Sequence, residues 1–222
     1  MDPITLVIGN KNYSSWSLRP WLLLKYFGIP FKEIMIPLYE GDYKTQILQY
    51  SLSGKVPLLV HGQVKVWESL AICEYIAELA PEKKMWPSDS YARAWARSIS
   101  HEMHAGFAQV RTYMPMNIRG SFPGCGRGPE VDREIGRIQE IFVGCRQAFH
   151  TKGPFLFGEF SVADAMFAPI VTRFRTYGVK LSMPAQEYAE TVLNLPAMKE
   201  WARAAAQEPY VIAASEKYAA KS

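Results

Sequence analysis

A run of hydroxyls, Ser14-Ser15-Trp16-Ser17, leads into Leu18-Arg19-Pro20 as the chain leaves the apolar stretch Leu6-Val7-Ile8-Gly9. Thiols attack as thiolates, and a free thiol of pKa ~8.5 is only a few per cent ionised at neutral pH. A hydroxyl donor at a helix N-terminus stabilises such an anion, helped by the partial positive charge of the helix end. Ser14 and Ser15 are placed for this. Lowering a thiol by about two units takes ~2.7 kcal/mol, within reach of one or two charge-assisted hydrogen bonds. Serines here also act as plain helix caps, so the segment alone leaves both uses open.

A second segment, Lys55-Val56-Pro57-Leu58-Leu59-Val60, is followed after a turn by Val64-Lys65-Val66-Trp67-Glu68-Ser69. Proline cannot donate a ladder bond and belongs at a strand start or edge, and it pushes Val56 into an extended conformation. Val56 could then offer its N–H and C=O to an extended peptide, as one more strand would. A cis Val56–Pro57 bond would aim those groups outward, although few X-Pro bonds are cis. Glu68-Ser69 opens a helix whose free N–H groups and hydroxyl suit a carboxylate, while the acid suits an ammonium. Lys55 could meet a second carboxylate or simply be a solvated charge. Each piece also has an ordinary structural use; together they suit a small zwitterionic peptide carrying a thiol.

These residues need elements to carry them. Residues 4–9 read as a buried strand, and Ser17 begins a helix that tolerates Pro20 in its first turn and stops at Gly28. Phe31 to Ile36 is a second strand, residues 38–54 hold a short irregular helix, and Pro57–His61 with Gln63–Trp67 form a hairpin. Ser69 to Leu79 is a third helix with Leu70, Cys73, Ile76 and Ala77 on one face. The order β-α-β-α-β-β-α is a split βαβ unit with an appended hairpin, its first two strands parallel. Pro81 and Pro87 bracket a linker. The rest reads as helices: Ser90 to about Met114, Glu130–Phe149, Ser161–Tyr177, Glu187–Leu193 and Ala197–Ala206, with a Gly/Pro-rich loop over 117–129. The expected domains are 1–80 and 88–222, an α/β domain followed by an all-α one.

Composition narrows the class. Of 222 residues 49% are hydrophobic and 21% charged, an ordinary globular balance. No apolar run approaches the ~20 residues of a membrane helix, and the start lacks the pattern of a secretory signal. The net charge is +4, but its 25 Lys and Arg are scattered, which fits a small anionic ligand better than nucleic acid. Cys73, Cys125 and Cys145 show no paired spacing, which argues against a disulfide scaffold, a metal site or a dithiol centre. We expect a cytoplasmic protein with neither membrane nor nucleic-acid partners.

Taken together, the hydroxyl-rich helix start, Val56-Pro57, Glu68-Ser69, the proline-marked linker and the helical second half resemble the glutathione transferase family over essentially the whole chain. Phe157-Gly158-Glu159-Phe160-Ser161-Val162-Ala163-Asp164 is a further match. Its Ser161-x-x-Asp164 is a near capping box, structural in the family. The resemblance implies a thioredoxin-like N-terminal domain and a transferase, of the kind that serves detoxification, joining glutathione to a small hydrophobic or acidic electrophile. It implies glutathione as co-substrate rather than tightly bound cofactor, and a homodimer. Serine-type members use the first hydroxyl of such a pair, which maps to Ser14 with Ser15 supporting. Lys55, Val56, Pro57, Glu68 and Ser69 map to glutathione binding. Tyrosine-type members use a tyrosine near the end of the first strand, so Tyr13 stays open.

Beta- and zeta-type members carry cysteine where Trp16 stands, and its absence removes the residue on which mixed-disulfide chemistry would rest. The zeta-type isomerases share the serine pair, the following Ser17 and Arg19, so a maleylacetoacetate-type cis-trans isomerase remains an alternative. A non-catalytic glutathione or ligand carrier is another, since one fold hosts many functions. The electrophile pocket is expected between the domains, lined by Met103, Phe107, Arg111, Tyr113 and Met114, a stripe that at helical spacing also suits a core. Arg111 or Arg175 could meet an acidic substrate or pair with neighbouring acids.

Overall fold

A computed structural model describes residues 3–51 and 53–219. Residues 1, 2, 52 and 220–222, which fall within the two expected domains, lie outside the described residues. Strands β1 (Ile4–Ile8), β2 (Lys32–Met35), β3 (Leu58–His61) and β4 (Val64–Trp67) form one sheet in the order β2-β1-β3-β4. β1 and β2 run parallel, with Val7 beside Ile34, as a strand–helix–strand crossover requires. β3 is antiparallel to both β1 and β4.

Helix α1 (Ser15–Tyr26) begins two residues earlier than the hydrophobic pattern suggests, because Ser15 and Trp16 already have helical geometry and Ser14 takes the cap position. Helix α2 (Tyr43–Leu48) is the short helix of the irregular stretch, and α3 (Ser69–Leu79) has the predicted bounds. Alternation along β1 sorts its side chains by face. Ile4, Leu6 and Ile8 enter the main core with α1 and α3, while Val7 joins Ile36, Ile47 and Leu58 in a smaller core under α2.

Beyond a 3-10 turn at Pro81–Lys83 the chain is helical: α4 (Ser90–Ala105), α5 (Ala108–Tyr113), α6 (Pro129–Phe149), α7 (Val162–Thr176), α8 (Met183–Leu193) and α9 (Pro196–Gln207). The single helix expected from Ser90 to Met114 is in fact two. Phe107 breaks it at φ 56°, and a Cβ at Gly106 would meet the Glu102 carbonyl oxygen at 2.7 Å. The Glu134 carboxylate of α6 then accepts from the N–H groups of Gln109 (3.2 Å) and Val110 (2.8 Å), capping the new helix start. Helix α8 starts at Met183 rather than Glu187, with Pro184 in its first turn, a position where the missing N–H costs nothing.

Helix α7 packs against both α1 and α4 and is buried along almost its whole length. The Asp164 carboxylate accepts from the Ser161 N–H (2.8 Å), the Ser161 hydroxyl (3.0 Å) and the Leu156 N–H (3.1 Å), fixing the entry to α7. Among the described residues no helix is long and apolar enough to cross a membrane.

Candidate active site

The loop from β1 to α1 is clamped from the far end of the chain. The Lys11 and Asn12 N–H groups donate to the Glu208 carboxylate at 2.6 and 3.1 Å. Trp201 donates its indole N–H to the Lys11 carbonyl at 2.8 Å. Tyr13 donates its hydroxyl proton to Glu216 (2.6 Å) and accepts from Arg119 (2.9 Å). Burial first, then the bond to Glu216, raises the Tyr13 phenol above its ordinary pKa. With its proton committed to a carboxylate, Tyr13 is poorly placed to donate to a thiolate.

The two serines that follow are nearly buried, Ser14 at 7% and Ser15 at 6% exposure. Ser14 Oγ lies 2.7 Å from Ser17 Oγ, and the Gly9 N–H donates to Ser17 Oγ at 3.1 Å. Ser17 Oγ has two lone pairs, so it can accept from both Gly9 and Ser14 or give its own proton to Ser14, and in the second arrangement the Ser14 proton is left for a ligand. Ser15 Oγ accepts from Arg173 Nη2 at 3.2 Å. Neither serine uses its side chain as the cap of α1.

Lys55, Val56, Pro57, Glu68 and Ser69 all line one cavity of about 240 Å3. The hairpin achieves this by pairing Leu58 with Trp67, which brings the residues before β3 beside those after β4. Val56–Pro57 is cis. Val56 lies beyond the β3 ladder, and among the described residues its N–H and C=O have no hydrogen-bond partner. Glu68 occupies the left-handed region at φ 69°, unusual for a non-glycine residue, as the chain turns from β4 into α3. Ser69 is buried as the first residue of α3, and among the described residues its N–H and those of Leu70 and Ala71 have no acceptor. A helix start with free N–H groups and a hydroxyl binds a carboxylate, and the adjacent acid an ammonium.

Three further residues, Trp16, Ser53 and Trp67, complete the lining and escaped sequence reasoning. A tryptophan at a strand end next to Glu68 is a readable signal for Trp67, which the structure leaves half exposed. No such signal marks Ser53, which sits in a stretch without periodicity.

The residues expected to line an inter-domain pocket separate. Met103, Phe107 and Met114 belong to the main core, Met103 and Met114 fully buried, because α4 and α5 turn this stripe inward. Tyr113 is half exposed, its carbonyl accepting from the Tyr218 hydroxyl. Arg175 donates to the Ile118 carbonyl. Arg111 alone of the set reaches the site, its guanidinium 5.3 Å from the Trp16 ring centre. An apolar cavity of about 340 Å3 on the α2 side, walled by Leu38, Tyr39, Tyr43, Ile47 and Leu48, shares Trp16, Lys55 and Val56 with the first.

His104 stacks edge-on to Trp16 at 5.3 Å and lies 3.5 Å from Glu68. Burial, followed by the charge of Arg19, pulls its pKa below the usual histidine value, so it is neutral at neutral pH. Cys73 is fully buried and its thiol is pushed well up by burial, while burial takes Cys145 to about 12. Neither is a nucleophile at neutral pH.

With this geometry in hand, the likeness to known proteins is direct. Residues 13–79 match the family described as glutathione S-transferase, N-terminal domain, and residues 128–204 match glutathione S-transferase, C-terminal domain. A probable maleylacetoacetate isomerase of Caenorhabditis elegans is 38% identical over 193 residues, 84% of this chain and 87% of that protein. Glutathione S-transferase 1 of Dianthus caryophyllus is 37% identical over 81 residues, and the chain spans only 36% of its length in that match, itself 36% of this chain. A Burkholderia glutathione transferase homologue, crystallised with bound glutathione, has the same fold with a TM-score of 0.67 at 21% identity, over 94% of this chain and all of that one. Both halves match in chain order and one relative aligns along most of the length, so this chain belongs to the glutathione S-transferase family.

Proposed function

We propose that the protein is a glutathione transferase which takes glutathione as a co-substrate and adds its thiolate to a small hydrophobic or acidic electrophile. The observation that carries this reading is the single cavity on which Lys55, Val56, Pro57, Glu68 and Ser69 meet Trp16 of α1, the residue that follows the nearly buried Ser14 and Ser15, which are not themselves among its lining residues. In it, Val56 pairs its free N–H and C=O with the cysteinyl backbone. Ser69 and the open first turn of α3 take the γ-glutamyl carboxylate, Glu68 its ammonium, and Lys55 the glycine carboxylate. Ser14, backed by Ser17 and supported by Ser15, donates to the sulfur. The thiol proton leaves to solvent, and the sulfur bonds to the electrophilic carbon as that carbon either loses a leaving group with its electron pair or opens a conjugated double bond whose carbanion takes a proton from solvent.

The electrophile approaches over Trp16, with the apolar cavity on the α2 side open to a hydrophobic group and Arg111 to an acidic one. Residues 1–80 act as the glutathione-binding domain. Residues 88–222 supply Arg111 and, through Met103, Phe107 and Met114, the packed wall behind it. We place the protein in the cytoplasm as a homodimer serving detoxification.

An isomerase of the maleylacetoacetate type is the second reading, favoured by the 38% identity to a probable enzyme of that name and by the buried arginines near the serines. Capture on immobilised glutathione followed by turnover separates the readings. Conjugate formation supports the transferase, glutathione regenerated unchanged supports the isomerase, and binding without turnover leaves a carrier.

A further inference from the structure

Three guanidinium groups gather at the start of α1, and among the described residues none of them forms an ion pair with a carboxylate. Arg19, 1% exposed, donates Nε to the Met166 carbonyl at 3.1 Å, lies with Nη1 3.5 Å from Ser69 Oγ, and stacks 4.2 Å from the Trp16 ring centre. Arg173 of α7, 4% exposed, donates Nε to the Met114 carbonyl (2.9 Å) and Nη1 to the Pro169 carbonyl (3.1 Å). Its remaining arm, Nη2, reaches Ser15 Oγ. Arg111 lies over Trp16.

Burying a charge without a counter-charge is costly, and proteins keep such groups where something compensates them. The cost appears in both residues. Burial pulls Arg19 down to about 9 and Arg173 to about 10, and each is further lowered by a neighbouring arginine. The rigid fork of Arg173 explains what that cost secures. Two arms are pinned to carbonyls, so the third cannot swing away from Ser15. A guanidinium only donates, which fixes Ser15 Oγ as acceptor in this bond and leaves the serine proton to be given elsewhere.

We infer that Arg173 is a positioning residue for the thiolate: it holds Ser15 as a second hydroxyl donor to the bound sulfur and lends that site positive charge. This rests on the reading that glutathione places its sulfur at the start of α1. The thiol gives its proton to solvent, the resulting anion accepts the Ser15 O–H, and Arg173 itself neither gains nor loses a proton. The other ionisable groups around the site fit this role. Arg19 on α1 and Arg111 on α5 add positive charge, and His104 on α4 is neutral. Cys73 on α3 and Tyr177 after α7 stay protonated, both raised by burial. Glu68 at the head of α3 is the nearby acid, with His104 beside it.

The test is the pH at which glutathione bound to the full-length chain becomes thiolate, read by the ultraviolet absorbance of the thiolate, together with the pH profile of kcat. Arg173→Gln should raise that midpoint by about one pH unit and cut kcat at neutral pH about tenfold, with activity recovering at higher pH. KM for glutathione should change little. Arg173→Lys, which keeps the charge, should restore part of the loss. Ser15→Ala should give the same shift, and the double variant no more than either alone. A folded Arg173→Gln chain with the wild-type midpoint overturns the inference. Should Arg173→Gln fail to fold, an unshifted midpoint in Ser15→Ala overturns it equally. If wild-type protein leaves the glutathione midpoint at its value in free solution, the transferase reading itself falls, and this inference with it.

Discussion

Replacing Ser14 with alanine is the sharpest perturbation of the proposed thiolate site, because the structure separates its cost in folding from its cost in chemistry. Among the described residues Ser14 Oγ hydrogen-bonds only with Ser17 Oγ, at 2.7 Å, and Ser17 keeps the Gly9 N–H at 3.1 Å in the variant. Folding therefore loses one neutral hydrogen bond, about 1 kcal/mol. The chemistry loses more. Gly9, Ser17 and Ser14 form a chain of hydrogen bonds, and in the arrangement where Ser17 donates to Ser14 it strengthens the bond that Ser14 gives. A hydrogen bond to a charged sulfur is worth about 1.5–3 kcal/mol, or roughly one to two pH units in the bound thiol. At neutral pH kcat should fall about ten- to a hundredfold, and its profile should move to higher pH by the same one to two units. The assay is initial-rate conjugation of a chromogenic electrophile at saturating glutathione across pH, with thermal melting to establish folding. Tyr13→Phe serves as control and should leave the profile where it is, since that phenol gives its proton to Glu216. A folded Ser14→Ala enzyme that binds glutathione and keeps the wild-type profile refutes the argument.

The double variant Glu68→Ala/Ser69→Ala should weaken glutathione binding by about 2 kcal/mol or more, measured by calorimetric titration, because an ammonium and a carboxylate lose charged partners; equal affinity would reduce the head of α3 to a cap. A chain with all three cysteines replaced should keep most conjugating activity, since Cys73 and Cys145 are buried thiols raised far above neutrality. Cys125, the more exposed, should be the first to label with a thiol reagent. Asp164→Ala should lose about 3 kcal/mol in chemical denaturation, as it strands the Leu156 and Ser161 donors. The wild-type Asp164 carboxyl also sets a pH dependence. Burial raises it from 3.8 to about 6, so the folded chain holds a proton that the unfolded chain has already released. That contribution to stability falls as pH rises through this window and is flat above it, and Asp164→Asn should remove it.

That the residues proposed to hold glutathione share one cavity was legible because their positions are fixed by local rules. A proline at the edge of a sheet, a hydroxyl at a helix start and a two-strand hairpin state their positions in a few residues each, and pairing across the hairpin then forces Val56 and Ser69 to one place. The break at Gly106–Phe107 was hidden for the opposite reason. Met103, Phe107, Val110 and Met114 continue the helical spacing across it, so periodicity alone sees one helix. The break comes at Phe107, in the left-handed region, and the new start is capped by the Glu134 carboxylate of α6, a contact that no local pattern announces. That same turn buries the methionine stripe and leaves Arg111 as the member of the expected pocket that reaches Trp16.

The arginines divide along the same line. Arg19 could be noticed because it sits in the motif that carries the serines. Arg173 lies 158 residues from Ser15, and only the packing of α7 on α1 joins them. Yet it leaves a trace, for it follows the apolar run over residues 165–171 on a helix in which every residue but Arg175 is buried. A cation placed in such a helix must find hydrogen-bond acceptors for every arm, and Met114, Pro169 and Ser15 are what it finds. Two of these are main-chain carbonyls that any sequence would supply. The third is a hydroxyl at the start of α1, next to the Trp16 that lines the cavity, so the interior charge of the helical half reaches the serine proposed to meet the thiolate.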